Sequence, residues 1–195
     1  MPSIFDNITD ESRLGPALQG DLTNFDSVDV ATGYLDLRGW SGFADIVDAK
    51  PRESRETPTA RVLVGMVMPS EAAAMLSALQ EQVQPAAYGA DLNSLEKAMA
   101  AKDQLVRHLR TQLMRGIPNQ AEQKTLQQLR DQLESGAVEM KVFTDAPLHG
   151  KTYIFHAPEN PMAKQRAYVG SSNLTAAGFY RNLELNIDVR DEDAT

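Results

Sequence analysis

Two short runs of aromatic and β-branched residues, Tyr153-Ile154-Phe155 and Ala167-Tyr168-Val169, flank the cluster Ala157-Pro158-Glu159-Asn160-Pro161, and this arrangement constrains the chain more than any other stretch. Such runs favour extended structure, while proline and asparagine together stop a strand and turn the chain. A β-hairpin is the simplest structure that satisfies both. In it, His149-Gly150-Lys151 enters one strand where Gly170-Ser171-Ser172-Asn173 leaves the other, so two polar clusters lie side by side. Alternation puts His149 and Lys151 on one face, because residues two apart in a strand point the same way. Gly150 and Gly170 let a ligand approach the backbone.

These residue types suit attack on a phosphodiester without a metal. An imidazole can be the nucleophile, an ammonium can hold a phosphate oxygen, and hydroxyl and carboxamide groups beside a glycine can hold the rest. Leu174-Thr175-Ala176-Ala177-Gly178 can open a helical turn whose free N–H groups add partial positive charge at the same place. Each feature also has a plain structural reading. His149 alone is an ordinary loop histidine, and Gly170-Ser171-Ser172-Asn173 alone is a strand-terminating turn. His108 lies in a polar helical segment and reads as a surface residue; His156, at a strand end, reads as structural. Three histidines and no cysteine, at no ligand-like spacing, give no metal site. No nucleotide-binding loop is present, and no cofactor is expected.

Upstream, the pattern reads as strand, helix, strand and helical insert. Val28 to Tyr34 is a predicted strand, and Gly39 to Asp48 a helix with Phe43, Ile46 and Val47 inward. A polar linker over 52–58 leads to Arg61 to Met68, a buried parallel strand. Ser70 caps a helix over Glu71 to Gln82. Leu92, Leu95, Met99, Val106, Leu109 and Leu113 form one stripe, broken at Gly116-Ile117-Pro118. Asn119-Gln120-Ala121-Glu122 is a capping box for a second helix carrying Leu126, Leu129 and Leu133. Together these predict a helical hairpin over about 91–135. Val138 to Phe143 is the strand leading into the motif, and Leu183 to Val189 alternates as a final strand. The fold class is α/β: a mixed sheet flanked by helices on both sides, with the helical hairpin inserted.

The paired clusters resemble those of the phospholipase D superfamily, whose motif is HxK, four residues, Asp, a spacer and GSxN. The residues that carry the resemblance are His149, Lys151, Gly170, Ser171 and Asn173, with Glu184 at the following acidic position. Weaker similarity over Asp29 to Tyr34 and Arg61 to Gly65 extends to the version found ahead of bacterial superfamily 2 (Swi/Snf-like) helicases. Two departures stand out. His156 occupies the place of the motif Asp, and the spacing from Lys151 to Gly170 exceeds the compact pattern, a small cost because closure entropy grows only logarithmically with loop length.

The resemblance implies two HxK motifs per active site, one histidine attacking phosphorus and the other protonating the leaving oxygen. With one motif per chain, it implies a homodimer in which His149 takes both roles. Lys151, Ser171 and Asn173 then bind the phosphate, and Glu184 orients an imidazole. The implied partners are nucleic acid, namely DNA, and a helicase motor in the same or an adjacent polypeptide, the 195 residues forming a single domain of a longer protein. The other reading, drawn from His156 and the single motif, is a non-catalytic phosphate- or DNA-binding module that positions nucleic acid for the motor.

Composition opposes these readings at one point. The net charge is −8, from 27 acidic and 19 basic residues, where a protein gripping a phosphate backbone usually presents a basic face. Lys141, Lys151, Lys164, Arg166 and Arg181 gather near the motif in sequence and predict a local basic mouth. The absence of cysteine, of a secretory start and of an apolar run long enough for a membrane predicts a soluble, cytoplasmic protein without membrane association.

Overall fold

Strict alternation builds the centre of the sheet. In β2 (Ser27–Thr32) the residues Val28, Val30 and Thr32 are buried while their neighbours are not, and β3 (Ala60–Val64) repeats this with Ala60, Val62 and Val64. The structure is a computed structural model that describes residues 3–50, 57–65, 96, 99–100, 102–103, 106–107, 120–143, 148–159 and 164–190. With β1 (Ile4–Phe5), β4 (Val138–Val142), β5 (Lys151–His156), β6 (Gln165–Gly170) and β7 (Asn186–Arg190), the strands among the described residues form one seven-stranded sheet in the order β1-β7-β6-β5-β2-β3-β4. β2, β3 and β4 run parallel; β5 is antiparallel to β2, and the remaining pairs are antiparallel. The mixed α/β class expected from the sequence is the class observed, and the hairpin of β5 and β6 forms as predicted.

Among the described residues, helices α1 (Leu14–Asn24), α2 (Leu37–Ala49), α3 (Gln120–Glu134) and α4 (Ala176–Tyr180) accompany the sheet. They touch one another in turn, α1 on α2, α2 on α3, and both α1 and α2 on α4, and so cover one face of the sheet. Rings link the layers. Trp40 meets Phe43 at 6.1 Å between centroids, Phe43 meets Phe179 at 5.9 Å, and Phe179 meets Tyr153 at 5.8 Å. Pairs of this kind contribute roughly 0.5–1.5 kcal/mol each beyond area burial. Here they join α2 through α4 to β5, two residues along from Lys151.

Ala31, Leu63, Thr152, Val169 and Ile187 run in one row across the opposite face. The helix predicted over 71–82 lies outside the described residues. So do most of the first arm of the helical hairpin and the start of the capping box. The second arm is α3, rotated from its predicted face. Leu129 is buried, but Leu133 is 41% exposed, while Thr125 and Gln132 are buried instead. The final strand begins at Asn186 rather than Leu183, leaving Leu183 and Leu185 exposed.

Candidate functional site

Register alone brings the two motif segments to one place. Lys151 pairs with Gly170 across β5 and β6, and Thr152 pairs with Ala31 across β5 and β2. His149 to Lys151, Gly170 to Asn173 and Thr32 to Tyr34 therefore leave the sheet at the same end. This is the carboxyl end of the parallel strands, where open α/β sheets bind ligands.

His149 is exposed, and its ring nitrogens have no partner among the described residues. Lys151 lies on the face of Tyr153 and Phe155, and its Nζ donates to the His149 carbonyl at 2.6 Å. One proton of the ammonium is used in this way, and others are left for a ligand.

Asn173 is held more firmly. Its Oδ1 accepts from the Tyr34 N–H at 3.0 Å, with Thr32 Oγ1 at 3.4 Å. Only the oxygen of a carboxamide can accept from an N–H, so this contact fixes which way the group points. Its Nδ2 has no partner among the described residues. The Leu174 N–H donates to Thr32 Oγ1 at 3.0 Å, and the Asp36 N–H donates to the Leu174 carbonyl at 3.0 Å. The loop after β2 is thus laced to the segment after β6.

Two of the expected free N–H groups of the helical turn are taken up internally. The Ala176 N–H donates to Asp36 Oδ1 at 3.2 Å and the Gly178 N–H to Thr175 Oγ1 at 3.0 Å. Gly170 likewise serves packing. A Cβ there would lie 2.2 Å from the Leu185 carbonyl oxygen, so a side chain would push β7 away.

Ser171 and Glu184 form a unit. Ser171 Oγ donates to the Glu184 carboxylate and accepts from the Leu185 N–H at 2.9 Å, while Asn182 Nδ2 donates to the same carboxylate at 3.3 Å. Among the described residues no bond joins Glu184 to His149. The carboxylate nonetheless lies at the same corner: burial first, and then the Glu184 charge, push the pKa of the Tyr153 phenol well above its ordinary value. Tyr153 donates to the Ser172 carbonyl at 2.9 Å, beneath Lys151 on its own strand. Ser172 is in turn buried against Asn186, whose Oδ1 accepts from the Ser172 N–H at 3.1 Å and whose Nδ2 donates to Ser172 Oγ at 2.8 Å.

His156 sits at the opposite end of β5. Its Nε2 meets Asp29 Oδ2 at 3.1 Å and its Nδ1 meets Gln165 Nε2 at 3.1 Å, while Arg61 also binds Asp29, through Nε at 2.6 Å. A carboxylate is therefore present near the place where the motif pattern has one, supplied by β2.

The predicted basic mouth is largely dispersed. Arg166 lies at the far end of β6, donating to Asp21 at 3.0 Å and to Asp188 at 2.9 Å. Lys141 pairs with Glu139 at 2.8 Å on β4, three strands from β5. Lys151, and Arg181 after α4, remain at the site end. Among the described residues no group of three or more His, Cys, Asp or Glu side chains is placed to hold a metal, and no helix is long and apolar enough to cross a membrane.

Thr32, Tyr34 and Asn186 were not singled out by sequence reasoning. Thr32 was findable, as the third inward position of an alternating strand; Asn186 and the Tyr34 backbone carry no local signal.

The family model described as "Cardiolipin synthase, PLD-like domain" matches residues 90–195, just over half of the chain and all of the segment from β4 to β7. No curated protein matches the chain.

Proposed function

Because the chain belongs to the phospholipase D-like domain family, we propose that it is a phosphodiesterase acting on DNA through a phosphohistidine intermediate. The observation that carries this reading is the pairing of Lys151 with Gly170, which delivers the HxK and GSxN segments to one end of the sheet. Lys151 and Nδ2 of Asn173 bind nonbridging oxygens as charge develops on them. His149 attacks phosphorus, forming a P–N bond as the P–O bond to the leaving group breaks. The His149 imidazolium of a second copy gives its proton to that oxygen, then as a neutral base takes one from the water that breaks the P–N bond. Glu184, held by Ser171, orients an imidazole. In this reading the active species is a homodimer, and the domain serves a helicase motor in the same or an adjacent polypeptide.

The test is chelator-resistant hydrolysis of a model phosphodiester and of DNA, with trapping of an acid-labile phosphoprotein. Substituting His149→Ala should abolish both; undiminished cleavage by that variant rules out the nucleophile.

A second reading is a phosphate-binding module without turnover, favoured by one observation: His156, in the place of the motif Asp, is engaged with Asp29 and Gln165 at the end of β5 opposite Lys151. Monomeric protein that binds DNA in a Lys151-dependent manner and never cleaves it would establish this reading instead.

A further inference from the structure

We propose that Thr32 is the positioning residue that presents Asn173 to phosphate. The inference rests on the reading of Asn173 as a phosphate ligand and extends it to a residue no motif contains. Thr32 is fully buried, so its hydroxyl must find partners within the protein. It has them on both sides. Oγ1 donates to the Tyr34 carbonyl at 2.9 Å and accepts from the Leu174 N–H at 3.0 Å, 142 residues away in sequence. These two bonds flank the one from the Tyr34 N–H to Asn173 Oδ1. The hydroxyl thereby fixes both the segment that donates to the carboxamide and the segment that carries it.

The consequence is chemical. Turning the carboxamide over would set its NH2 group against the Tyr34 N–H, donor against donor, so the oxygen stays on Tyr34 and the amide nitrogen stays on the other side of the group. A donor fixed before the ligand arrives needs no reorganisation when charge appears on phosphate, which is what makes such groups effective. Loss of the Thr32 hydroxyl would leave the Leu174 N–H buried and unmatched and let the carboxamide rotate.

The experiment titrates inorganic phosphate into wild type, Thr32→Ser, Thr32→Val, Asn173→Ala and the Thr32→Val/Asn173→Ala double variant, with thermal melts of each. Serine keeps the hydroxyl and should bind within about threefold of wild type; valine, of the same shape, should bind at least about tenfold more weakly. In the double variant the valine should add no further loss, because it acts through Asn173. Valine that binds like wild type, or that weakens the Asn173→Ala background by the same factor, overturns the inference. Should the valine variant not fold, amide exchange in wild type decides: protection of the Tyr34 and Leu174 N–H groups is expected, and exchange at the rate of an open loop overturns the inference. Wild type that binds no phosphate overturns the functional reading and this inference with it, whereas binding unaffected by Thr32→Val overturns the inference alone.

Discussion

Asn7 donates from Nδ2 to the backbone carbonyl of Asn182 at 3.0 Å, tying the start of the chain to the loop that carries Glu184. The same nitrogen donates to the Gly178 carbonyl at 2.9 Å, and Oδ1 accepts from the Leu14 N–H at 3.1 Å. The last contact caps α1, whose own N-cap residue, Arg13, makes no side-chain cap. Beside it the Glu184 N–H donates to the Asp6 carbonyl at 3.3 Å, and Asn186 Nδ2 to the Phe5 carbonyl at 3.1 Å. Residues 5–7 thus act as a splint for the acidic corner of the site.

Replacing Asn7 tests the splint. Its φ is 63°, in the left-handed region that asparagine tolerates and alanine resists. Asn7→Ala should destabilise by about 2–3 kcal/mol, combining a lost cap, lost bonds and backbone strain. Asn7→Gly removes the strain and should cost about 1 kcal/mol less in urea unfolding. Equal losses would mean the backbone conformation contributes nothing.

The departure at His156 has a structural counterpart in Asp29. Restoring the motif with His156→Asp would set one carboxylate against another where the imidazole now meets Asp29 at 3.1 Å. We expect this variant to be less stable than wild type by about 1 kcal/mol, since opposed like charges destabilise a strand pair. Adding Asp29→Asn should recover most of that loss. Urea midpoints of the two variants check this, and a His156→Asp protein more stable than wild type contradicts it.

Acid sensitivity should centre on Asp188. It is completely buried, and binds Ser3 N–H, Arg166 and Arg190. Burial alone would push its carboxyl up, but these three donors outweigh it and hold the pKa below the ordinary value. A depressed folded-state pKa contributes stability that is present above the unfolded carboxylate pKa of about 4 and is lost as pH falls through the folded value. Asp188→Asn, which leaves Arg166 and Arg190 without that charge, should cost about 3–5 kcal/mol at neutral pH and flatten the acid limb of the stability curve.

At the alkaline end the sign reverses. Burial, and then the bond to Asp21, raise Tyr168; burial, and then Glu184, raise Tyr153. An acid whose folded pKa is raised supplies stability below the unfolded value of about 10 and loses it as pH rises further. Ultraviolet titration should therefore show Tyr153 and Tyr168 ionising only as the chain unfolds. Smooth ionisation of all five tyrosines near pH 10 in folded protein would contradict their burial.

How much of this was legible in the sequence follows from how local each feature is. The hairpin was readable because Tyr153, Phe155 and Tyr168 repeat with the period of a strand on either side of a turn. β1 and the Asn7 splint were not, since a two-residue strand has no period and its partners lie at the other end of the chain. Arg166 misled for the same reason: nearness to the motif in sequence placed it at the site, whereas a strand's length separates it from Gly170. Motif spacing supplied His149, Lys151 and Asn173, but nothing in it announces that Asn173 answers to Thr32.

The face of α3 fails for a different reason, and that failure yields the last prediction. Periodicity selects leucines, yet α3 turns Gln132 inward, where Oε1 accepts from Trp40 Nε1 at 3.0 Å and Nε2 donates to the Ala44 carbonyl at 2.8 Å and to Asp48 at 2.7 Å. A buried amide with such matches is as well placed as a leucine, and no hydrophobic pattern can anticipate it. Gln132→Leu keeps much of the volume but strands the indole N–H, so it should destabilise by about 2–3 kcal/mol. The single tryptophan makes the outcome directly visible, because its fluorescence reports the α2–α3 contact. Loss of that contact should appear as a red-shifted emission at lower urea than in wild type. An unchanged midpoint would show that the apolar gain offsets the missing acceptor, and that the polar face of α3 contributes little to holding the helix in place.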